Sequence, residues 1–256
     1  MNRAWAATGA AIGMTLGLLA FAPAAWLADA VARSSGGQIQ FDDPRGTVWR
    51  GSAQLVLSGG EGSRDALALP GRLEWELGLG SRGLHLQLQA ACCTPVPLAL
   101  TLTPAWGGMV LAVADGGSEW PAGLLAGLGA PWNTVQPQGL LQLNTERLSV
   151  EWTEGRVRVA GSARLDALGM SSKLSTLKPV GSYRFSLLGS ANQGPLTVQL
   201  QTLEGSLSLA GNGQWTGSHW SFRGEASAAP EHETALGNLL NMVGRRQGAK
   251  SVISLG

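Results

Sequence analysis

LEWELGLGSRGLHLQLQ, residues 73–89, has leucine or tryptophan at every second position on both sides of a Gly-Ser-Arg-Gly turn. Strict alternation of apolar and polar residues over five or more positions is typical of an antiparallel strand with one buried face. The stretch therefore predicts a β-hairpin with its turn at 80–83. The same period of two recurs at 49–57, 98–113, 141–165, 183–187 and 196–222, with glycine and proline between the runs.

The turn of this hairpin also satisfies the pattern G-x-G-x-x-G, from Gly78 to Gly83. A dinucleotide site needs that loop between a strand and a helix, so that the phosphates meet a helix N-terminus. Here two alternating strands flank it, which indicates a hairpin turn and no cofactor. The histidines at 85, 219 and 232 lie far apart, and the sequence has no G-x-S-x-G, P-loop or H-E-x-x-H motif. We therefore expect no catalytic residues, metal site or enzyme activity.

Composition supports a β-rich domain and argues against nucleic acid as a partner. Charged residues make up 14% of the 256 residues and the net charge is +1, whereas hydrophobic residues reach 44%. A near-neutral chain offers no electrostatic attraction for polyanions. With 37 glycines and 12 prolines in a chain this apolar, we expect many short strands joined by turns.

The N-terminal stretch AWAATGAAIGMTLGLLAFAPAAWLA, residues 4–28, contains no charged residue. As one helix it would be about 37 Å long, enough to cross a hydrocarbon core of about 30 Å. Trp5 and Trp26 would then lie near the two membrane–water boundaries, and Arg3 would keep the N-terminus in the cytoplasm. We expect a single-pass membrane helix at 4–28, after a cytoplasmic segment at 1–3. The alternative is a cleaved signal peptide with its site at Ala28-Asp29-Ala30.

Two further features concern small residues and sulfur. Gly9, Gly13 and Gly17 recur every fourth residue, which would allow a second helix to approach closely within the membrane. Cys92 and Cys93 are adjacent, so in an oxidising compartment they form either a vicinal disulfide or a pair of free thiols. Without a second cysteine pair or suitably spaced histidines, they do not indicate a zinc site.

Tryptophan is the dominant aromatic residue, with ten copies against four phenylalanines and one tyrosine. Most tryptophans lie on the apolar phase of strands or beside turns, which is typical of core packing. Some could instead line a groove for an apolar partner or a lipid chain. The residues considered for this core or groove are Trp49, Trp75, Trp152 and Trp220. An unpaired edge strand is a second kind of binding site, since it can accept a strand from another protein.

Two short helices interrupt the strands. The first is predicted over 118–129, with Ser118 as its cap, and the second begins at Pro230 and carries an apolar stripe from Leu236 to Val243. The helix-and-strand unit recurs at an offset of 115 residues, and a second similarity, from Trp152 and from Trp215, has an offset of 63. We expect a mostly antiparallel all-β periplasmic domain at 46–256, built from repeated halves at about 46–145 and 146–256. A polar linker at 29–45 would connect it to the membrane helix.

Several short motifs resemble the type II secretion system protein N family, inner-membrane components of the bacterial machine that exports folded proteins across the outer membrane. The motifs are glycine- and tryptophan-rich turns, and their order along nearly the whole chain carries the resemblance. They lie at 46–51 (GTVWRG), 128–131 (LGAP), 137–139 (PQG), 181–183 (GSY), 202–205 (TLEG), 211–215 (GNGQW) and 222–226 (FRGEA).

The resemblance implies a non-enzymatic accessory or structural subunit that acts in assembly or bridging of the secretion machine. Its partners would be other single-span and periplasmic subunits of that machine. The alternative hypothesis is a membrane-anchored periplasmic protein that binds or transfers lipid along a Trp-lined groove.

Overall fold

A computed structural model describes residues 2–81, 83–153, 155–189, 194–215 and 219–255. Within these ranges sixteen strands form one sheet, and every pairing is antiparallel. The predicted all-β, antiparallel fold class is therefore confirmed. One sheet runs through both predicted halves, whereas the internal repeat stays a prediction.

The strands follow one another across the sheet almost in chain order. Their bounds are β1 (Ile39–Gly46), β2 (Arg50–Ser58), β3 (Ala66–Ala68), β4 (Leu73–Gly80), β5 (Gly83–Ala90), β6 (Leu98–Ala105), β7 (Gly108–Val113), β8 (Gly116–Pro121), β9 (Gln138–Thr153), β10 (Arg156–Ser171), β11 (Gly181–Gly189), β12 (Leu196–Gly205), β13 (Leu207–Trp215), β14 (Trp220–Ala228), β15 (Arg245–Gln247) and β16 (Lys250–Leu255). The order is β1-β2-β4-β5-β6-β7-β9-β10-β11-β12-β13-β14-β16-β15, with β3 beside β2 and β8 beside β9.

Period-two patterning explains the hairpins. The predicted hairpin is β4–β5, in which Leu79 pairs with Leu84 and Gly80 with Gly83. In the long pair β9–β10 the register shifts where Arg147 (φ 48°) faces Gly161 (φ 83°). This bulge places one extra residue in β9, so its apolar side chains change from odd to even numbers while remaining on one face.

In the part of the chain that the structure describes, four α-helices and two 3₁₀ helices accompany the sheet. They are α1 (Asn2–Ala20), α2 (Ala24–Ser34), α3 (Trp132–Val135), α4 (Glu233–Val243) and the 3₁₀ segments Ala122–Leu128 and Pro230–His232. The helix predicted from Pro230 is present, and Leu236, Leu239 and Leu240 are buried. The helix predicted over 118–129 is wrong in its first third: residues 118–121 belong to β8, and the segment that follows is 3₁₀.

The prediction of one helix over 4–28 is wrong. α1 ends at Ala20 and α2 begins at Ala24, with Pro23 at the N-cap of α2. Proline lacks the backbone N–H that a helix interior needs, and its ring disfavours α-conformation in the residue before it. The apolar run is therefore helical in two pieces separated by the residues from Phe21 to Pro23.

The predicted linker at 29–45 is also structured. α2 continues to Ser34, and β1 occupies Ile39–Gly46 at the edge of the sheet. A connection of only four residues lies between them. The part of the chain that packs on the sheet therefore begins with α2, inside the segment 4–28 for which the lack of charge predicts a membrane helix.

The core is divided between the two ends of the strand order. Near the first end, Ala24, Ala53 and Trp75 form one buried cluster, and a neighbouring cluster contains Leu69 and Leu73. Near the other end, α4 packs on β14, β15 and β16 over a larger cluster. That cluster contains Ala167, Val180, Tyr183, Val198, Leu200, Leu207, Phe222, Ala226, Leu236, Leu239 and Leu240.

The polar face of the sheet carries one well-formed ion pair. Asp166 on β10 lies directly opposite Arg184 on β11. The guanidinium donates two hydrogen bonds to the carboxylate, Nε to Oδ1 at 2.6 Å and Nη2 to Oδ2 at 2.7 Å. These bonds from Arg184 hold the pKa of Asp166 below its ordinary value of 3.8, against the opposing effect of burial.

Candidate functional site

The turn between β1 and β2 is built by two glycines. Gly46 has φ +88°, a conformation that disfavours residues with a side chain. At Gly51 a Cβ would lie 2.5 Å from the Trp75 ring and 2.6 Å from the Arg45 carbonyl oxygen, so no side chain fits there. The turn is therefore pressed against the Trp75 indole, which is 3% exposed.

Trp75 fixes the turn by hydrogen bonds as well as by contact. Its Nε1–H points to two turn carbonyls, those of Val48 at 3.1 Å and Thr47 at 3.3 Å. Its ring stacks on Phe41 of β1, with centroids 5.6 Å apart and an interplanar angle of 14°. The GTVWRG motif at 46–51 thus has a structural role at the first end of the sheet.

The same turn receives the break between α1 and α2. The Trp49 Nε1–H donates to the Leu19 carbonyl oxygen at 2.7 Å, and the Val48 N–H donates to the Ala22 carbonyl oxygen at 2.8 Å. Pro23 and Thr47 form an isolated β-bridge. Carbonyls at a helix C-terminus have no partner within the helix, and here protein groups outside α1 supply two donors at the break.

After the break, α2 packs on the sheet. Ala24 and Ala28 are 1% and 8% exposed, and Ala24 belongs to the cluster with Ala53 and Trp75. Small residues on this helix face allow close approach to β1 and β2. Trp26, on the other face, is 52% exposed.

α1, in contrast, is exposed along its described length. Its large apolar side chains from Ile12 to Leu19 are between 54% and 71% exposed, and Phe21 after it is 79% exposed. A Cβ added at Gly9, Gly13 or Gly17 would meet no atom within 4 Å, so the small-residue face is open. Among the described residues, no helix combines the length and the apolar character needed to cross a membrane.

Apolar rows cross the middle of the sheet on one face. In antiparallel pairs, directly opposite residues point to the same side, so consecutive pairings trace such a row. One row consists of Leu79, Leu84, Leu102, Leu111, Val150 and Val159. The last five of these side chains are half-buried. The helices α2 and α4 pack on other strands, α2 on β1 and β2 and α4 on β14, β15 and β16.

The edges of the sheet are poor sites for strand addition. β1 contains Pro44, charged residues and a register shift between Asp42 and Arg45. β15 has three residues, of which Arg245 and Arg246 are charged. Proline, charge, irregular register and shortness are the features by which natural sheets prevent edge pairing. The apolar face is therefore a better candidate for a contact surface than the edges.

Residues 37–253 match the family model described as type II secretion system (T2SS), protein N. The chain belongs to this family. It is therefore a type II secretion component, and its family is one of accessory secretion proteins. The predicted resemblance is confirmed. No curated protein and no solved structure matches the chain in the corresponding comparisons.

In this T2SS protein N chain, the four tryptophans predicted for a core or groove do not come together. Trp75 is buried under α2, and Trp49 lies half-buried in the adjoining turn. Trp220 packs against the core near α4, far along the strand order. Trp152 is 42% exposed at the tip of the β9–β10 hairpin. No single groove contains all four.

The other predicted residues of this T2SS protein N chain are in separate places. Cys92 and Cys93 are joined in a vicinal disulfide after β5, where Cys93 is buried. His85 is exposed on β5, with Nδ1 and the Thr101 hydroxyl 3.1 Å apart. The described residues contain no group of three or more potential metal ligands among His, Cys, Asp and Glu. Trp5 lies in α1, and its side chain falls outside the described part.

The residues that accept hydrogen bonds from the turn are not predictable from the sequence pattern. Leu19 and Ala22 act through backbone carbonyls, so their side chains carry no signal for this contact. The available signal was Pro23, which indicates a helix boundary in front of it.

Proposed function

We propose that this chain is a non-enzymatic, single-pass inner-membrane subunit that acts in assembly or bridging of the type II secretion machine. α1 inserts in the membrane, and the sheet extends into the periplasm. Family membership supports a place in the secretion machine. The exposed apolar surface of α1 supports insertion, since side chains such as Met14 and Leu16 would otherwise face water.

The observation that carries the proposal is the junction between α1 and the β1–β2 turn. The Trp49–Leu19 and Val48–Ala22 hydrogen bonds attach the end of α1 directly to the sheet. A flexible linker would let the domain rotate freely beneath its anchor. This attachment instead gives the sheet a defined position relative to α1, which suits a structural subunit that must meet neighbouring subunits in one geometry.

Charge indicates the orientation of α1 in the membrane, and its small residues indicate a helix as its partner. Arg3 precedes an uncharged segment, which places the N-terminus in the cytoplasm by the positive-inside rule. Glycine and alanine lower the hydropathy of α1. A second helix could pack closely on the open face of Gly9, Gly13 and Gly17 and so stabilise α1 in the membrane. We expect that helix to belong to another single-span subunit.

Photocrosslinking in native membranes tests this proposal. A photoreactive residue at Gly13 should capture another secretion subunit. The matched control is Ala11, about 160° around the helix at 3.6 residues per turn. Capture of lipid alone at both positions would refute the contact with a second helix. A mature chain that begins near Val31 would refute the proposal of an anchored subunit.

A second candidate function is binding of an acyl chain along the sheet, and the half-buried row from Leu84 to Val159 favours it. Backbone hydrogen-bonding groups in the middle of a sheet are already paired, so this row offers only apolar contact. Lipid extraction and native mass spectrometry of the purified full chain test this function. Bound lipid in a fixed stoichiometry supports it, whereas a lipid-free chain excludes it.

A further inference from the structure

Three hairpin turns in the first part of the sheet lie at the same end of its strands. They join β4 to β5 at Gly80–Gly83, β6 to β7 at Ala105–Gly108, and β9 to β10 at Thr153–Arg156. The pairings of Gly108 with Thr153, and of Leu84 with Leu102, fix this arrangement across the strands. With about 4.8 Å between strands, neighbouring turns are about 10 Å apart and the three span about 20 Å.

These turns carry exposed apolar side chains. Trp106 is 101% exposed, Leu79 is 78% exposed, and Met109 and Trp152 are 45% and 42% exposed. The turns at the opposite end have a different character. There the exposed residues include Asp115, Lys173, Lys178 and Glu204. The tips of the first end thus carry four exposed apolar side chains within three turns, whereas the other end exposes charged residues together with Val96, at 68%, and Trp132, at 40%.

α1 leaves the sheet at the apolar end. The β1–β2 turn lies beside the end of β4, because the Leu77 N–H donates to the Trp49 carbonyl oxygen at 2.6 Å. The same Trp49 binds the Leu19 carbonyl oxygen at the end of α1. Phe21 and Trp26, both exposed, extend the apolar surface around the junction.

We propose that this end of the sheet rests on the bilayer surface, with Leu79, Trp106, Met109 and Trp152 at the boundary between headgroups and acyl chains. This inference depends on the membrane insertion of α1 proposed above. Tryptophan prefers this boundary because its ring is apolar and its N–H is polar. The sheet would then contact the membrane through these hairpin tips as well as through α1.

The arrangement favours a bilayer over a protein as the occupant. Protein interfaces have a contiguous, closely packed core, whereas these apolar residues lie on separate turns spread along a line. A line of tips fits a flat surface. Arg156 and Arg158 are exposed on the polar side of the β9–β10 tip, where they can approach anionic headgroups.

Depth-dependent fluorescence quenching tests this contact on the full chain. The protein is reconstituted in vesicles of phosphatidylethanolamine and phosphatidylglycerol whose acyl chains are brominated near the headgroup. Trp106→Phe removes a tryptophan that we expect to be quenched. The matched control is Trp132→Phe, because Trp132 is 40% exposed on α3, which precedes β9 at the opposite end. Neither substitution removes a buried side chain.

The expected difference follows from the number of tryptophans. The chain has ten, so each variant retains nine, and a quenched Trp106 makes the quenched share of emission lower in Trp106→Phe than in Trp132→Phe by about one-ninth. Equal quenched shares in the two variants would overturn the proposal. Quenching that disappears when a partner subunit is added would also overturn it, since the tips would then bind protein.

A third variant separates this inference from the proposed function. Trp5 lies in α1, so Trp5→Phe reports on insertion of that helix. If Trp5→Phe lowers the quenched share and Trp106→Phe does not, the tips do not touch the bilayer but α1 is inserted. If neither variant lowers it, insertion of α1 fails together with the contact of the tips.

Discussion

Replacing Trp49 by phenylalanine tests whether the β1–β2 turn holds the end of α1. The substitution keeps an aromatic ring in the half-buried pocket but removes the Nε1–H that donates to the Leu19 carbonyl oxygen at 2.7 Å. We expect the α1–α2 break to separate from the turn more often. The direct reporter is the Val48 N–H, which is bonded to the Ala22 carbonyl oxygen in that contact.

The size of the effect follows from the bond that is lost. Net contributions of single hydrogen bonds are about 0.5–1.5 kcal/mol, and the Leu19 carbonyl becomes accessible to water, so we expect about 1 kcal/mol. Local opening then becomes about five times more frequent at 25 °C, and hydrogen exchange at Val48 rises by about the same factor. Exchange of the full chain in detergent micelles, resolved by amide, measures this directly.

Two controls make the result specific. Trp106→Phe removes an indole that is fully exposed, and it should leave exchange at Val48 unchanged. The Leu77 N–H, which donates to the Trp49 carbonyl oxygen, should stay protected in Trp49→Phe because that bond involves only the backbone. Unchanged exchange at Val48 would refute the role of the indole. Equal increases at Val48 and Leu77 would show that the whole turn opens instead.

Three other changes have defined outcomes in denaturant unfolding of the full chain in detergent. Gly51→Ala places a Cβ 2.5 Å from the Trp75 ring and should lower the free energy of unfolding by about 1–3 kcal/mol, whereas a neutral result would contradict the tight turn. Asp166→Asn should lower the free energy of unfolding by about 2 kcal/mol at neutral pH. Because the paired guanidinium lowers the pKa of the Asp166 carboxylate, this difference between variant and wild type is complete above the ordinary pKa of 3.8. It disappears as the pH falls through the lower pKa of the folded state. A difference that grows in acid would contradict the assignment. Reduction of the Cys92–Cys93 disulfide should change the free energy of unfolding by only about 1 kcal/mol, because the bond closes a loop with no intervening residue, and a larger loss would indicate a structural role beyond that loop.

The sheet was predictable because its signal is local. Each strand of the β4–β5 hairpin alternates without interruption, and its turn contains the expected glycines. The long strand β9 was harder, because the bulge at Arg147 changes the phase of the apolar residues. Leu141 and Leu143 on one side of the bulge and Val150 on the other are therefore out of phase in the sequence, although they lie in one strand.

The candidate site was predictable only in part. The GTVWRG motif carries part of the family resemblance, but its contacts with α1 join residues about thirty positions apart through backbone carbonyls, which no side-chain pattern reveals. β1 was missed because Pro44 and the charged residues of an edge strand remove the alternation that marks an interior strand. Hydrophobicity alone predicts a continuous helix at 4–28, whereas Pro23 and the packing of Ala24 on the sheet end it earlier.

The position of β9 in the sheet has a consequence for folding during synthesis. β9 pairs with β7 over one half of its length and with β8 over the other. A chain that emerges N-terminus first presents the free side of β7 before its neighbour has arrived, since 35 residues lie between Val113 and Ser149, where the part of β9 that pairs with β7 begins. During that interval an apolar strand has an open row of backbone donors and acceptors, which makes it a target for misassembly with other nascent chains. A chaperone that shields this segment as it emerges should therefore matter more for folding than one that acts on the later hairpins.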